Sequence, residues 1–375
     1  MRATAGWRDL HLSVDTRRWR RLAPGRREHG RGVGDRAGRR EFRRQCRASG
    51  WQCVEQCERG GNRAARPDLR RRLRGAVTLI PNLLDCGGRT LDIGRPCIAG
   101  IVNVTADSFS DGGRFLDPAR AVEHGLRLVD EGADLLDIGG ESTRPGAVDV
   151  AVDEEIARVV PVIETLSREV RVPISIDTSR PEVMRAAVAA GAGFINDVRA
   201  LRVDGALDAA AALGVPVCLM HMQGTPTTMQ DAPSYDDVVG EVHRFLTERM
   251  FACQLAGIDK RRILVDPGFG FGKTLQHNLA LLRALARFGE LGPVLVGLSR
   301  KGMIASITGR EDPAGRAAGS AAAALIAVQN GATIVRVHDV EITRDLLSVW
   351  RAVGPPASAP ARASASPRIP GWDDD

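Results

Sequence analysis

The segment Pro173-Ile-Ser-Ile-Asp-Thr-Ser-Arg-Pro-Glu-Val-Met-Arg-Ala-Ala-Val-Ala-Ala-Gly-Ala-Gly-Phe-Ile-Asn-Asp197 contains one complete strand–helix–strand unit. A β-branched run ends near Ile176, a helical pattern covers 181–190, and a second apolar run ends near Ile195. A proline opens the helical pattern and a glycine follows it, as is common at the two ends of a helix. The segment therefore predicts a βαβ unit with two parallel strands.

The same alternation of strand and helix patterns occurs along most of the chain. The predicted strands end near Val102, Ile138, Ile176, Ile195, Met220, Val265, Gly297 and Val337. The predicted helices cover 118–131, 152–169, 181–190, 206–213, 235–256, 274–286, 315–330 and 340–350. Eight alternating units predict an α/β protein whose fold is a (β/α)8 TIM barrel.

The length of 375 residues accommodates one such barrel of roughly 250 residues together with extensions. We assign 98–353 to the catalytic barrel and 76–97 to a lead-in with a possible N-terminal hairpin. Residues 354–375 are rich in Pro, Ala and Ser and are predicted to form a flexible tail. No apolar run is long enough to span a membrane, and the seven cysteines are scattered, so we expect a cytoplasmic protein.

Residues 1–75 differ in composition from the rest of the chain. They hold 22 of the 52 Lys+Arg residues and 8 of the 46 Asp+Glu residues, which leaves 30 against 38, or −8, elsewhere. The absence of apolar periodicity predicts a disordered, Arg-rich extension. Three interpretations of this extension compete: a nucleic-acid-binding arm, a transit peptide and a non-functional extension. We favour the last, and nucleic acid is not an expected partner of the barrel.

Each predicted strand is followed at once by polar side chains, and in a barrel these ends meet at the active site. In strand order the residues are Asn103; Glu141 to Arg144; Asp177; Asn196 and Asp197; His221 and Gln223; Asp266; Ser299 to Lys301; Arg336 and His338. A single polar residue at a strand end is more often a cap or turn residue, but eight such ends predict a polar pocket.

The residue types in this pocket indicate its ligand. Carboxylates and amides on rigid strands suit a flat heterocycle with N–H donors and carbonyl acceptors, whereas the cations suit anions. The helix that follows His338 adds a partial positive charge at the same end of the barrel. The Gly-rich segment 266–273 lacks the spacing of a nucleotide-binding P-loop. We therefore expect a ligand made of a heterocycle and a phosphate group.

Eight motifs resemble those of the dihydropteroate synthase family, in unbroken order over about 91–350. They are Asn103-Val-Thr-Ala-Asp-Ser-Phe109, Gly139-Gly-Glu-Ser-Thr-Arg-Pro145, Ile176-Asp-Thr178, Ile195-Asn-Asp197, Cys218-Leu-Met-His-Met-Gln-Gly224, Asp266-Pro-Gly-Phe-Gly-Phe-Gly272, Gly297-Leu-Ser-Arg-Lys301 and Ile334-Val-Arg-Val-His-Asp339. The resemblance implies a reaction of folate biosynthesis in which 4-aminobenzoate replaces the diphosphate of a dihydropterin-methyl diphosphate.

The resemblance also implies roles for residues of this chain. Asp177, Asn196, Asp266 and Lys301 would bind the pterin, and Thr143, Arg336 and His338 would bind the diphosphate. Phe109, Arg144, Pro145 and Phe271 would form the 4-aminobenzoate pocket, and Asn103 would bind Mg²⁺. Asp177, Lys301 and Arg336 are the predicted catalytic residues, and the family resemblance suggests a homodimer.

Two positions depart from the family pattern, and two other functions compete. Ala106 stands where relatives commonly have Pro, and Gly302 stands where many have Ser. One rival is a pterin- or folate-dependent methyl-transfer barrel, which has no use for a magnesium-diphosphate site. The other is a protein that binds nucleic acid through the basic extension. His221 is left out of the predicted site because it equally suits a supporting role.

Overall fold

The structure is a computed structural model, and it describes residues 82–105, 118–142, 150–225 and 228–354. The strands in these ranges are β1 (Leu83–Cys86), β2 (Arg89–Asp92), β3 (Cys97–Asn103), β4 (Leu135–Gly139), β5 (Ile174–Asp177), β6 (Phe194–Asp197), β7 (Val217–Met220), β8 (Ile263–Asp266), β9 (Leu295–Val296) and β10 (Ile334–Val337). The α-helices are α1 (Pro118–Asp130), α2 (Val152–Glu169), α3 (Pro181–Ala189), α4 (Ala206–Leu213), α5 (Val238–Leu255), α6 (Leu275–Arg283), α7 (Gly302–Thr308), α8 (Ala317–Gln329) and α9 (Val340–Val353).

Strands β3 to β10 form one parallel sheet in the order β8-β7-β6-β5-β4-β3-β10-β9. A parallel bridge between Val265 in β8 and Val294, the residue before β9, nearly closes the ring. Helices follow the strands and cover the outside of the ring, as in other parallel sheets that are buried on both faces. The predicted (β/α)8 barrel is confirmed.

The burial of the strands and helices follows from their apolar residues. All five residues of β4 are buried, and so are all four of β6, β7 and β8. Helix α2 buries Val159, Val162, Ile163 and Leu166 at three- and four-residue steps against the sheet. The core therefore lies inside the ring and between the ring and its helices.

An antiparallel hairpin, β1–β2, lies at the amino-terminal end of the barrel. Its residues Leu84, Cys86 and Leu91 pack with side chains from the first residues of several barrel strands, among them Leu135 and Phe194. The hairpin thus covers the end of the barrel opposite to the polar strand ends.

Some predicted helix boundaries are wrong. Helix α5 begins at Val238 rather than at 235, because the Glu241 carboxylate accepts hydrogen bonds from the backbone N–H groups of Asp236 and Asp237 and ends the preceding loop there. The helix predicted over 274–286 ends at Arg283, and a 3-10 helix follows at Leu285–Glu290. Helix α7 has no counterpart among the predicted helices.

The predicted extension 1–75 and most of the predicted tail lie outside the described residues, so their disorder stays a prediction, as do the domain boundaries. In the described ranges, no helix combines the length and the apolar character needed to cross a membrane.

Candidate active site at the carboxyl end of the barrel

Arg336 links two acidic side chains across the barrel. It is the third residue of β10, its Nε donates to Asp137 Oδ2, and its Nη2 donates to Asp177 Oδ2 at 2.7 Å. Burial disfavours the guanidinium charge, but the two carboxylates hold the pKa of Arg336 above its ordinary value. Arg336 therefore keeps its positive charge between the two carboxylates.

Asp137 is the residue of this cluster that is absent from the predicted site. It is only 2% exposed, and Asn196 Nδ2 also donates to its Oδ2 at 3.2 Å. No donor among the described residues reaches its Oδ1. Asp137 was missed because it precedes the predicted strand end at Ile138 and the quoted family motif of that strand begins only at Gly139. The available signal was a charged residue within the apolar run Leu135-Leu-Asp-Ile138, since a buried charge requires a partner.

Asp177 ends β5 and faces Arg336. Burial raises the pKa of Asp177 to about 7, with Arg336 opposing the rise and the nearby Asp137 carboxylate adding to it. A carboxyl group with this pKa changes its charge near neutral pH. Perturbed groups of this kind are concentrated at functional sites.

Asp266 and Lys301 form the other side of the pocket. Asp266 ends β8, and its Oδ1 accepts a hydrogen bond from the Gly268 N–H at 2.7 Å. Burial raises the pKa of Asp266, while the Gly268 N–H and the Lys301 charge oppose that rise. Burial lowers the pKa of Lys301 to about 8, with Asp266 opposing the decrease. Two ionisable groups of opposite charge thus lie on this side.

Lys301 is positioned by the segment between β8 and α6. Its Nζ donates to the Phe269 carbonyl oxygen and lies 4.1 Å from the centroid of the Phe271 ring. An ammonium over an aromatic face is attracted by the ring's negative face. Phe271 and Lys301, predicted to serve neighbouring parts of the site, are therefore in contact.

His338 and Ser299 meet at the ends of β10 and β9. The His338 N–H donates to Ser299 Oγ at 3.2 Å, and His338 Nδ1 lies 3.0 Å from the same oxygen. Helix α9 begins next to them, and Asp339 at its start pairs with Arg300 at 2.5 Å. This pairing neutralises a carboxylate that would otherwise repel an anion at the helix N-terminus.

Eight of the predicted site residues lie in the described ranges, all at or near carboxyl ends of strands: Asn103, Asp177, Asn196, Asp266, Phe271, Lys301, Arg336 and His338. Contacts connect Asp177 and Asn196 to the Arg336 cluster and Phe271 to Lys301. Asn103 ends β3, two strands along the barrel from Asp177. The remaining predicted site residues, Phe109, Thr143, Arg144 and Pro145, lie outside the described residues.

A family model described as "Pterin binding enzyme" matches residues 99–338 of the chain. The match covers the barrel strands and the whole polar cluster at their carboxyl ends. The fold and the site therefore define the class of this protein as a pterin-binding barrel enzyme.

The named relatives of the chain are dihydropteroate synthases. The Escherichia coli K12 enzyme is 52% identical over 266 residues, which cover 71% of this chain and 94% of that protein. Solved structures of the Xanthomonas albilineans enzyme with 4-aminobenzoic acid and with 7,8-dihydropteroate are 63% and 61% identical. Their TM-scores are 0.70 and 0.67, they cover 73% and 72% of this chain, and each is covered to 98%. The chain belongs to the dihydropteroate synthase family, as the motifs predicted.

Proposed function

We propose that the chain condenses 6-hydroxymethyl-7,8-dihydropterin diphosphate with 4-aminobenzoate, giving 7,8-dihydropteroate and diphosphate in folate biosynthesis. The observation that carries this proposal is the connected cluster of Asp137, Asp177, Asn196 and Arg336 opposite Asp266 and Lys301. This cluster offers acceptors for a heterocycle's N–H groups and cations for an anion in one pocket. The Xanthomonas albilineans relative has been solved with the arylamine substrate and with the product of this reaction.

The pterin is held by groups of opposite hydrogen-bonding character. Ionised Asp177 and Asp266 accept hydrogen bonds from the amino and ring N–H groups, and the Asn196 amide serves the same heterocycle. Protonated Lys301 donates to the pterin carbonyl or a ring nitrogen. Because the pKa of Asp177 is about 7 and that of Lys301 about 8, both charged forms coexist near these pH values.

The chemical step exchanges one bond at the pterin methylene for another. The C–O bond to diphosphate breaks, the amine nitrogen of 4-aminobenzoate forms the new C–N bond, and this nitrogen then loses a proton. Positive charge develops on the methylene and the ring as the diphosphate leaves. Asp177 and Asp266 stabilise this charge through the ring N–H groups, whereas Arg336, His338 and Thr143 bind the departing anion. The step needs no protein nucleophile.

The residues present fit a magnesium ion that arrives with the diphosphate. Among the described residues, no group of three His, Cys, Asp or Glu side chains could hold a metal by itself. Mg²⁺ commonly keeps several waters and uses substrate phosphates with few protein ligands, so one amide oxygen from Asn103 suffices. When bound there, Mg²⁺ would neutralise charge on the leaving group.

The arylamine pocket is proposed to contain Phe109, Arg144, Pro145 and Phe271. A sulfonamide, which resembles 4-aminobenzoate, would bind in the same pocket, and the Yersinia pestis relative has been solved with a sulfonamide drug. We also infer a cytoplasmic homodimer whose catalytic domain is 98–353. Residues 1–75 are not required in this proposal.

The proposal is tested by measuring diphosphate release from the purified full chain. Release should require Mg²⁺ and 4-aminobenzoate, and Asp177→Ala and Lys301→Ala should each reduce it by at least about 100-fold, since each removes a charged contact made at the reacting heterocycle. Asp259→Ala, at a half-buried carboxylate paired with the exposed Arg261, is the control and should leave release unchanged.

Two outcomes would replace the proposed function. Methyl transfer from a folate without any need for Mg²⁺ would favour the methyl-transfer barrel. Salt-sensitive nucleic-acid binding that needs residues 1–75, without diphosphate release, would favour a nucleic-acid-binding protein.

A further inference from the structure

We propose that Lys273 is a positioning residue: its ammonium fixes the loop 266–273 against His221, and the loop in turn places Lys301 for pterin binding. This inference rests on the proposed function, because Lys273 is assigned a role in positioning Lys301, a residue of the proposed pterin site. Among the described residues, the hydrogen bonds of Lys273 Nζ go to His221 and to backbone carbonyl groups of this loop.

Lys273 lies in a cage of neutral acceptors. Its Nζ is 2.9 Å from the Gly268 carbonyl oxygen, 3.0 Å from that of Phe271 and 2.9 Å from His221 Nδ1, with the His221 carbonyl oxygen at 3.4 Å. The side chain is 3% exposed. Burial lowers the pKa of Lys273 to about 7, with the Asp266 charge opposing the decrease. The protonated amine has three N–H donors, and the three short contacts use all of them. Lys273 therefore ties two points of its own loop to the residue that follows β7.

The choice of lysine supports this reading. The sequence contains three lysines among its 52 Lys+Arg residues, at 260, 273 and 301. The compact ammonium can donate to acceptors in three directions, whereas the planar guanidinium of arginine is built for carboxylates and phosphates. In an arginine-rich chain, a buried lysine therefore marks a place where the shape of the cation matters.

The loop 266–273 requires two glycines with positive φ, at which its backbone lies close to neighbouring residues. Gly268 has a φ of 71°, and a Cβ there would overlap the His221 carbonyl oxygen. Gly270 has a φ of 80°, and a Cβ there would lie 3.0 Å from Lys301 Cδ. The backbone of the loop is thus inserted between His221 on one side and Lys301 on the other. Such a conformation persists only where surrounding contacts determine it.

The same loop supplies the contacts that hold Lys301. The Phe269 carbonyl accepts from Lys301 Nζ, and the Phe271 ring lies 4.1 Å below it. The Phe271 carbonyl is meanwhile an acceptor for Lys273. Without Lys273, the carbonyl groups at 268 and 271 lose a buried N–H donor, which favours a shift of this segment. A shift of the segment moves both contacts of Lys301.

His221, one of the acceptors around Lys273, is itself held in place by its neighbours. Its ring packs edge-on against Phe245 with centroids 4.9 Å apart, and the backbone N–H of His221 donates to the Asp266 carbonyl. Burial, with the Lys273 charge adding to it, lowers the pKa of His221 to about 3, which keeps the ring neutral. A neutral imidazole can accept from the ammonium at Nδ1. This arrangement gives His221 a role that its sequence position left undecided.

The test is a double-mutant cycle with Lys273→Met and Lys301→Met. The measured quantity is the Kd of 6-hydroxymethylpterin for the full chain, which requires neither Mg²⁺ nor 4-aminobenzoate. Coupled neighbours show non-additive effects, so we expect Lys273→Met to weaken binding about tenfold in the unchanged chain. In the Lys301→Met background the same change should weaken binding by less than about twofold. Lys260→Met, at an exposed lysine, is the matched control and should leave both values unchanged.

Three outcomes are distinct. If the unchanged chain binds no pterin, the proposed function fails. If the unchanged chain binds pterin but Lys273→Met weakens binding equally in both backgrounds, or not at all, Lys273 has only a general structural role and the inference is overturned.

If Lys273→Met does not fold by circular dichroism, His221→Leu replaces it, since this variant removes one acceptor of Lys273 and keeps the Lys273 side chain. About threefold weaker binding that disappears in the Lys301→Met background would then support the inference, and an equal loss in both would overturn it.

Discussion

Replacing Asp137 by Asn should weaken catalysis although this residue is not expected to contact the reacting atoms. The substitution keeps the size of the side chain but removes the charge that anchors Arg336 Nε. A hydrogen bond to a charged group contributes about 1.5–3 kcal/mol. Arg336 keeps its bond to Asp177 and is 20% exposed, so we take about 2 kcal/mol from that range. A loss of this size corresponds to about a 30-fold lower kcat/KM for the pterin diphosphate.

The same substitution should change the pH dependence in a defined direction. The Asp137 charge raises the pKa of Asp177, so its removal should lower that pKa below about 7. The acidic limb of kcat/KM should then move to lower pH. The assay is the initial rate of diphosphate release at saturating 4-aminobenzoate, across pH, with circular dichroism to confirm folding. A kcat/KM within threefold of the unchanged chain, together with an unmoved acidic limb, would refute the anchoring role of Asp137. Asp259→Asn, which changes the ion pair with the exposed Arg261, is the matched control.

Three further predictions follow from the site. The kcat/KM for the pterin diphosphate should be bell-shaped in pH, because it should fall below about 7 as Asp177 is protonated and above about 8 as Lys301 loses its proton. The Lys301→Met variant should lack the alkaline limb, and an alkaline limb that persists in this variant would reject the assignment to Lys301. Gly268→Ala should lower the free energy of unfolding by at least about 2 kcal/mol, which lowers Tm by about 6 °C, because of its positive φ and its overlap with His221; an unchanged melting curve would contradict this. A sulfonamide should compete with 4-aminobenzoate, whereas inhibition that persists at saturating 4-aminobenzoate would place its site elsewhere.

Substrate binding must rearrange one contact of the described structure. Arg336 Nη2 donates to the same Asp177 carboxylate that is proposed to accept the pterin N–H groups. Asp137 holds Arg336 through a different nitrogen, Nε. The guanidinium can therefore turn towards an arriving diphosphate without losing its anchor. The bond to Arg336 Nε therefore explains why the Asp137 carboxylate is buried at a position that faces no predicted substrate group.

The barrel could be predicted from the sequence because its strands are buried on both faces and therefore appear as short apolar runs between helical patterns. Helix α2 was predicted with its observed bounds, since its apolar residues recur at helical spacing along its whole length. Helix α7 was missed because seven residues carry too little periodicity to separate it from a loop. Boundaries set by a side-chain cap, as at Glu241, depend on contacts that periodicity does not report.

The expectation that polar residues after the predicted strands line the site identified most of the site residues. It did not identify Asp137 and Lys273, which hold other site residues in place. It selects residues that follow a predicted strand end, so it includes Asp177 and Asp266 and passes over Asp137, which precedes Ile138. Arg336 also precedes its strand end, but it lies within a quoted family motif. It also gave no role to Lys273, whose partners are backbone carbonyl groups on two loops. Contacts of this kind depend on how the chain folds back in space, and no spacing along the sequence encodes them.

The central claim is tested most directly by analysing the products of the purified full chain with both substrates and Mg²⁺. Mass spectrometry should detect 7,8-dihydropteroate in equal amount to the diphosphate released, and neither product should form when 4-aminobenzoate is omitted. The absence of dihydropteroate, or diphosphate release that continues without the arylamine, would contradict the proposed function.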